Sequence, residues 1–408
     1  MKRKLIKQMS REWRDNIWLI LSMAITFTVV WAAIFLLYIE VHGYFLPRGY
    51  DCGDVYSIDL SMIGQSSEYY DEGGKDKETE DLGVLLKRIE ALPMVEAVMF
   101  HYSAMPYNFN YYGQRLKAVG NDSLPEYYGN RREASPEVID VLRIKSKTGA
   151  TPSQLKEMLE RGELLLGDDK EYNKDGKGVY ALKGRMVELS GDTTRQYRVG
   201  DIIDVIRRND YEESYSGTIL MALDVEKPWG NVAVRVKPGM GHQFEKEFRE
   251  KKELRINRNI FLTDLKSADE MRDSNQRTTE IKIRQYVVVA LFVLVTIFLG
   301  MLGIFWFRVQ QRVGEIAIRR VCGATRRDIL SRILGEGLIL FLVAMIIVSL
   351  LLWIFVIPEF LEEADLWWEA IWCELGAVVV VAVGIVLSLI YPALRAMNIE
   401  PAIAVKAE

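Results

Sequence analysis

Apolar and polar positions along the chain fall into two regimes. Residues 17–39, 286–307, 333–357 and 375–391 are near-continuous apolar runs, whereas residues 40–285 contain no run of comparable length. As a helix rising 1.5 Å per residue, the 23 residues of 17–39 cross a hydrocarbon core of ~30 Å. The pattern therefore predicts an α-helical membrane protein with four transmembrane helices and a large insert between helices 1 and 2. The first run exceeds the core of a cleaved signal peptide and no small-x-small site follows it, so it reads as a retained span.

Within the insert the periodicities alternate. Residues 55–60 read as a strand. Leu82, Leu85, Leu86 and Ile89 give helical spacing over 81–91, and 95–101 reads as a second strand, with a third at 116–119. The same order returns at 232–236 (strand), 241–252 (polar helix) and 256–262 (strand). Two strand-helix-strand units at the ends of the insert predict an α+β platform over 40–129 and 226–263. Between them, 130–225 reads as a second subdomain, with a helix capped by Thr151 or Ser153 and strands at 164–166, 197–206 and 216–223. Residues 264–285 are polar and free of Gly and Pro before the second apolar run begins, the signature of a helical stalk.

Charge orients these elements. The average hides it: mean hydropathy is +0.03 and net charge -4. Residues 308–332 carry seven Arg against Glu315 and Asp328, while 358–374 carry six acids and no Lys or Arg. Short loops rich in Lys and Arg stay inside, so 308–332 is predicted cytoplasmic, 358–374 extracytoplasmic, and both termini (1–16, rich in Lys and Arg, and 392–408) cytoplasmic. Trp13 and Trp18 sit where an interfacial aromatic belt belongs. Glu336, between Gly335 and Gly337, falls near the start of the third span, where it either lies at the interface or packs between spans.

Inside the basic loop, Val313, Ala317 and Val321 share a helix face and Glu315 precedes Arg319 by four residues. CGAT breaks the helix: Gly323 suits a helix C-cap, and Thr325 with Asp328 forms a box-like T-x-x-D that restarts it. Catalytic signals are sparse. His42, His101 and His242 lack partner spacing, Asp168 and Asp169 lack the order of a calcium loop, and there is no G-x-S-x-G. Tyr-rich segments (107–112, 127–128) serve either edge packing or a binding face. Cys52, Cys322 and Cys373 form neither a disulfide framework nor a zinc spacing, and a bridge between Cys52 and Cys373 stays open. DGKGVY falls short of a G-x-x-x-x-G-K-[ST] loop, so this chain carries no ATP site of its own.

GEIAIRRVCGATRRDIL, after the second span, and YPALRAMNIEPAIAVKAE, at the end, resemble the motifs of MacB/FtsX-type ABC transporter permeases. The resemblance implies a permease subunit without a fused ATPase domain, in a bacterial inner membrane, with a periplasmic MacB-like domain. It implies that ATP and Mg are bound by a separate ABC ATPase present in two copies, and that a second permease copy completes a homo- or heterodimer, with a periplasmic adaptor and outer-membrane channel as further partners. The ATPase would be contacted by Glu315, Ile316, Ile318, Arg319, Arg320, Gly323, Ala324, Thr325, Arg326 and Asp328. Its nucleotide cycle would then move the outer domains, a mechanotransmission that handles substrate on the outer side. An FtsX-like regulator of a cell-wall hydrolase, a signalling anchor and a membrane-tethered enzyme are the other readings.

Overall fold

The computed structural model describes residues 13–108, 110, 112–121, 124, 126–168, 178–211, 217–223, 229–356 and 367–397. The basic positions of 1–12, Asp169, most of the acidic loop 358–374 and the end of the closing motif lie outside the described residues. In chain order the elements are α1 (Trp13–His42), β1 (Val55–Met62), α2 (Glu78–Glu90), β2 (Val95–Tyr102), β3 (Gly113–Ala118), β4 (Tyr127–Ala134), α3 (Val138–Val141), α4 (Pro152–Glu160), β5 (Leu164–Gly167), β6 (Met186–Leu189), β7 (Asp192–Ile203), β8 (Gly217–Ala222), β9 (Asn231–Val236), α5 (Gly241–Glu250), β10 (Ile256–Asn257) and β11 (Ile260–Ser267), followed by α6 (Ala268–Gln311), α7 (Val313–Val321), α8 (Arg326–Leu351) and α9 (Trp367–Met397). They form two compact units: His42–Thr279, and the described residues up to Val41 together with those from Glu280 onward.

In the unit His42–Thr279, β10-β11-β1-β9-β2 make an antiparallel sheet. Its central strands are apolar on both faces because both are covered. Val98, Phe100, Val232 and Val234 pack under α2 and α5 with Leu82, Leu85, Ile89, Phe244 and Phe248. The alternate positions Ala97, Met99 and Ala233 face the other way, toward Leu155 and Leu159 of α4. Thr151 accepts from the Gln154 amide, and the Gln154 side chain accepts from the Thr151 amide in return, so the capping box starts α4 at Pro152.

Strand β4 joins this sheet only through His101↔Ala134 and Tyr102↔Glu133. From there β4-β3-β6-β7-β5-β8 runs round and closes on itself through a parallel β4–β8 pairing, a six-stranded barrel filled by Leu116, Tyr127, Leu164, Val187, Val199 and Ile219. The β-rich region is thus a closed barrel, and it includes residues 113–129, which the sequence placed in the platform. The reason is β4 itself: YYGNRREA carries Gly, Asn and three charges, which mask its pairing, and one of those charges, Arg132, is buried.

Strand β11 also continues further than expected. Lys266 and Ser267 still pair with Ser57 and Tyr56, so the helix starts at Ala268 and not at residue 264. A second capping box sets that start: the Ser267 amide donates to Glu270 at 3.1 Å and the Glu270 amide to Ser267 Oγ at 3.1 Å. Helix α6 then runs unbroken for 44 residues, about 66 Å at 1.5 Å per residue.

Among the described residues, four helices, α1, α6, α8 and α9, are long and apolar enough to cross a membrane. Leu19, Met23, Phe27, Val30 and Trp31 of α1 form one buried stripe against Phe341, Ala344 and Val348 of α8 and Ala377, Val381 and Ile385 of α9. Small residues let the backbones approach: a Cβ on Gly337 would lie 2.5 Å from Leu389 Cδ1. Helix α6 is the exception, since only 6% of its apolar window is buried, against 28–39% for the others.

Candidate functional site

The segment 312–332 folds as helix, turn and helix. Helix α7 ends in a Schellman motif: the Gly323 amide donates to Arg320 O at 3.0 Å and the Ala324 amide to Arg319 O at 3.0 Å. The motif requires a left-handed residue, and Gly323 has φ +95°. Helix α8 restarts at once. Thr325 Oγ1 accepts from the Asp328 amide at 3.3 Å, and Asp328 Oδ2 accepts from the Thr325 amide at 3.0 Å and from Thr325 Oγ1 at 2.6 Å. Capping from both sides leaves the turn few alternative conformations, although nothing lies within 4 Å of the space over Gly323.

Ala317 and Ile329 turn inward and are buried, whereas Ile318 and Val321 are 60% and 69% exposed. Around them Cys322, Gly323, Thr325, Arg326, Arg327 and Asp328 are exposed, while Glu315, Ile316, Arg319, Arg320 and Ala324 are half-buried. The ten positions singled out from the sequence therefore lie on one short helical hairpin, but not on one face. Glu315 pairs with Arg319 one turn along. Glu336 is paired: its carboxylate accepts from Arg312 at 2.7 Å and lies 3.3 Å from Arg332, tying the start of α7 to α8.

A second constellation lies in the unit His42–Thr279, at the first turns of α6. Asp210, fully buried, accepts from Tyr107 Oη at 2.8 Å and Arg272 Nε at 2.7 Å, with Arg48 Nε at 3.1 Å. Burial alone would raise its pKa, but hydrogen bonds from Gln276, Tyr107 and Arg272 and the charge of Arg48 outweigh it and hold the carboxyl below the usual range. Tyr107 is held at φ 60°, and its carbonyl accepts from Asn275 at 3.3 Å. Residues far apart in sequence thus clamp the base of α6, and no local spacing announces them.

The remaining candidates are structural. Tyr107 is buried in this clamp, while Tyr112 shares a hydroxyl hydrogen bond with Tyr102 at the surface. His101 is buried, with its pKa depressed to about 3 by burial and by the charge of Arg132. Asp168 accepts from Tyr180 Oη at 3.0 Å. The three cysteines are free thiols. Among the described residues, no three His, Cys, Asp or Glu side chains gather as a metal would need.

Solved structures similar to the chain include the periplasmic region of MacB from Actinobacillus actinomycetemcomitans (TM-score 0.32, 11% identity, covering 56% of this chain and 94% of that one). A permease-protein domain from Porphyromonas gingivalis has TM-score 0.30 and 14% identity, covering 53% and 92%. The extracellular domain of the noncanonic ABC-type transporter YknZ from Gram-positive bacteria has TM-score 0.30 and 10% identity, covering 51% and 100%. No curated protein matches the chain. The family model described as FtsX-like permease C-terminal matches residues 287–401, which take in most of α6 and the whole α7–turn–α8 hairpin. The apolar C-terminal part of this chain, residues 287–401, is thus similar to the C-terminal domain of FtsX-like permeases.

Proposed function

We propose that this chain is the permease subunit of an ABC transporter of the MacB kind, and that the hairpin α7–turn–α8 is the element through which a separate ATPase drives it. The supporting observation is the hairpin itself. A rigid turn, locked by a Schellman motif and a capping box, presents exposed Ile318 and Val321 among Arg320, Arg326 and Arg327, next to the end of a 44-residue helix. Exposed apolar residues ringed by charge are what a partner surface covers. With the hairpin cytoplasmic, both termini inside and His42–Thr279 on the outer side of a bacterial inner membrane, ATP-driven closure of two ATPase subunits pushes α7. Helix α6 is free of Pro throughout and of Gly from Ala268 to Leu299, with Gly300 and Gly303 near its α7 end, so in this reading bending concentrates at those two glycines and the rest of the helix transmits the displacement. Its sparsely covered apolar window supplies a face for a second permease copy. ATP and Mg stay with the ATPase, and substrate is handled on the outer side, with an adaptor and outer-membrane channel as candidate further partners.

The test is a complex reconstituted with the ATPase. Gly323→Pro removes the amide that bonds Arg320 O and forbids φ +95°, and Glu315→Lys reverses the pair with Arg319. Both variants are expected to insert normally but to lose coupling between ATP hydrolysis and transport. Unchanged ATPase binding and turnover in both would end this reading.

A further inference from the structure

Strand β11 has a neighbour on one side for only part of its length. There β10 contributes just Ile256↔Phe261 and Asn257↔Ile260, extended by one bond from the Leu262 amide to Arg255 O at 2.7 Å. Beyond Arg255 the adjoining chain leaves the sheet, because Lys252–Leu254 is a single 3-10 turn that sends Leu254 into the core. Among the described residues, no strand pairs with 263–266 on the side away from β1, about 13 Å of open edge at ~3.3 Å per residue. Asp264, at φ 43°, falls where the register with β1 shifts between Ser57 and Asp59. A bulge of this kind turns an edge away from long flat strands, so what stays open suits a short segment.

Where β10 would continue lies a half-open pocket of about 260 Å³, lined by Phe248 and Arg249 of α5, by Arg255 and by residues 262–265 of β11. Phe248 and Leu262 make its wall apolar, and both are buried. Its charge comes from two guanidiniums. Arg255 is half-buried, and its Nε is buried with no hydrogen-bond partner. Arg249 is exposed, and neither arginine forms an ion pair among the described residues. Asp264, exposed at the rim, offsets one of the two, which leaves one positive charge in excess. A buried donor left without an acceptor is costly, and a carboxylate is the strongest acceptor for a guanidinium. An extended peptide supplies both things this corner lacks, main-chain partners for the edge and a side-chain carboxylate for the pocket.

We propose that this corner of the sheet docks a short extended segment of a partner protein, which adds as a strand to residues 263–266 of β11 and sets an acidic side chain against Arg249 and Arg255. The edge gives affinity through main-chain bonds, and the guanidiniums select the carboxylate. All of these residues lie in the unit His42–Thr279, so the docking site is independent of the coupling role of the hairpin.

The full chain, in neutral detergent, is exposed to two pools of seven-residue peptides, with Val, Ile, Thr and Tyr varied at six positions and Glu or Gln fixed at the centre. Retained peptides are read by mass spectrometry. The glutamate pool is expected to be retained at least about tenfold over the glutamine pool, the equivalent of about 1.4 kcal/mol. Arg249→Gln/Arg255→Gln is expected to abolish that preference while hydrogen exchange over 95–102 stays unchanged, which shows the sheet intact. For the best-retained peptide, N-methylation of one alternate set of amides is expected to weaken binding about tenfold and of the other set to leave it unchanged, since only one set faces β11. Bound peptide should also slow exchange at 263–266. No retention from either pool, equal retention of both, a preference that survives in the glutamine variant, equal effects of the two N-methylated sets, or displacement by inorganic phosphate at equal concentration would each overturn the assignment. A glutamine variant of altered oligomeric state would give the edge to a second copy of the chain and overturn it as well.

Discussion

Asp210→Asn tests how α6 is anchored. The substitution keeps the size of the side chain but removes the charge shared by Arg48 and Arg272, whose side chains are 38% and 27% exposed while that of Asp210 is 0%. Removing one partner of a buried pair costs about 3–5 kcal/mol. Both guanidiniums can turn toward water here, which lowers the expected loss to about 2–3 kcal/mol, a drop of roughly 5–10 °C in Tm for a domain of this size. The effect should be local first. By hydrogen exchange on the full chain in nanodiscs, amides 268–279 are expected to lose about 30-fold protection, the equivalent of about 2 kcal/mol, while the α2–β2 region changes little. The pH dependence has a definite sign. The folded-state pKa of Asp210 lies below its unfolded value, so its contribution is present above ~3.9 and fades as pH falls through the depressed value. The asparagine variant should lack that component. Unchanged exchange over 268–279 would refute the clamp.

At the hairpin, Gly323→Ala meets no neighbour within 4 Å but must hold φ +95°, a strain of about 1–2 kcal/mol. ATP turnover coupled to transport should therefore fall in the order Gly, Ala, Pro, and an alanine variant worse than proline would break the argument. Thr325→Ala removes the N-cap and should cost about 1 kcal/mol of local helix stability, read as faster exchange at residues 326–329. Arg132→Met strips donors from the carbonyls of Ala104 and Ile206, each bonded at 2.9 Å. Ala104 O loses this donor and Ile206 O keeps only a long contact from Thr218 Oγ1 at 3.5 Å, so a loss of about 2 kcal/mol is expected in denaturant unfolding. His101 should remain neutral from pH 8 to 5 by NMR, because its folded pKa is about 3. The unfolded chain binds that proton near ~6.5, so this residue lowers stability progressively as pH falls from there toward 3. A ring titrating near pH 6.5 would contradict its burial.

The legibility of the fold in the sequence follows the kind of signal each part uses. Helix α2 and strands β1, β2 and β9 are written in local periodicity, because one side-chain spacing meets one buried face. The turn at Gly323 and the capping box Thr325–Asp328 are equally local and were readable down to the residue. Strand β4 was not, because its polar groups are satisfied inside: Arg132 is buried yet bonded to backbone carbonyls, which inverts the usual meaning of a charge. The start of α6 was signalled by Ser267-x-x-Glu270, but the polar run at 264–267 fits a stalk as well as an edge-facing strand end. The Asp210 clamp joins Arg48, Tyr107 and Arg272 across the fold, and only tertiary structure brings them together.

As proposed, the hairpin lies in the cytoplasm and is covered by an ATPase. Cys322 sits in its turn and is exposed, whereas Cys52 is half-buried and Cys373 buried, so the native chain carries its own probe. The measurement is the rate of Cys322 modification by a membrane-impermeant maleimide, in inverted and right-side-out vesicles, with and without the ATPase subunit. Rapid labelling only in inverted vesicles, slowed at least about tenfold once the ATPase is bound, is the result expected. Labelling from the outer side, or a rate indifferent to the ATPase, would contradict it.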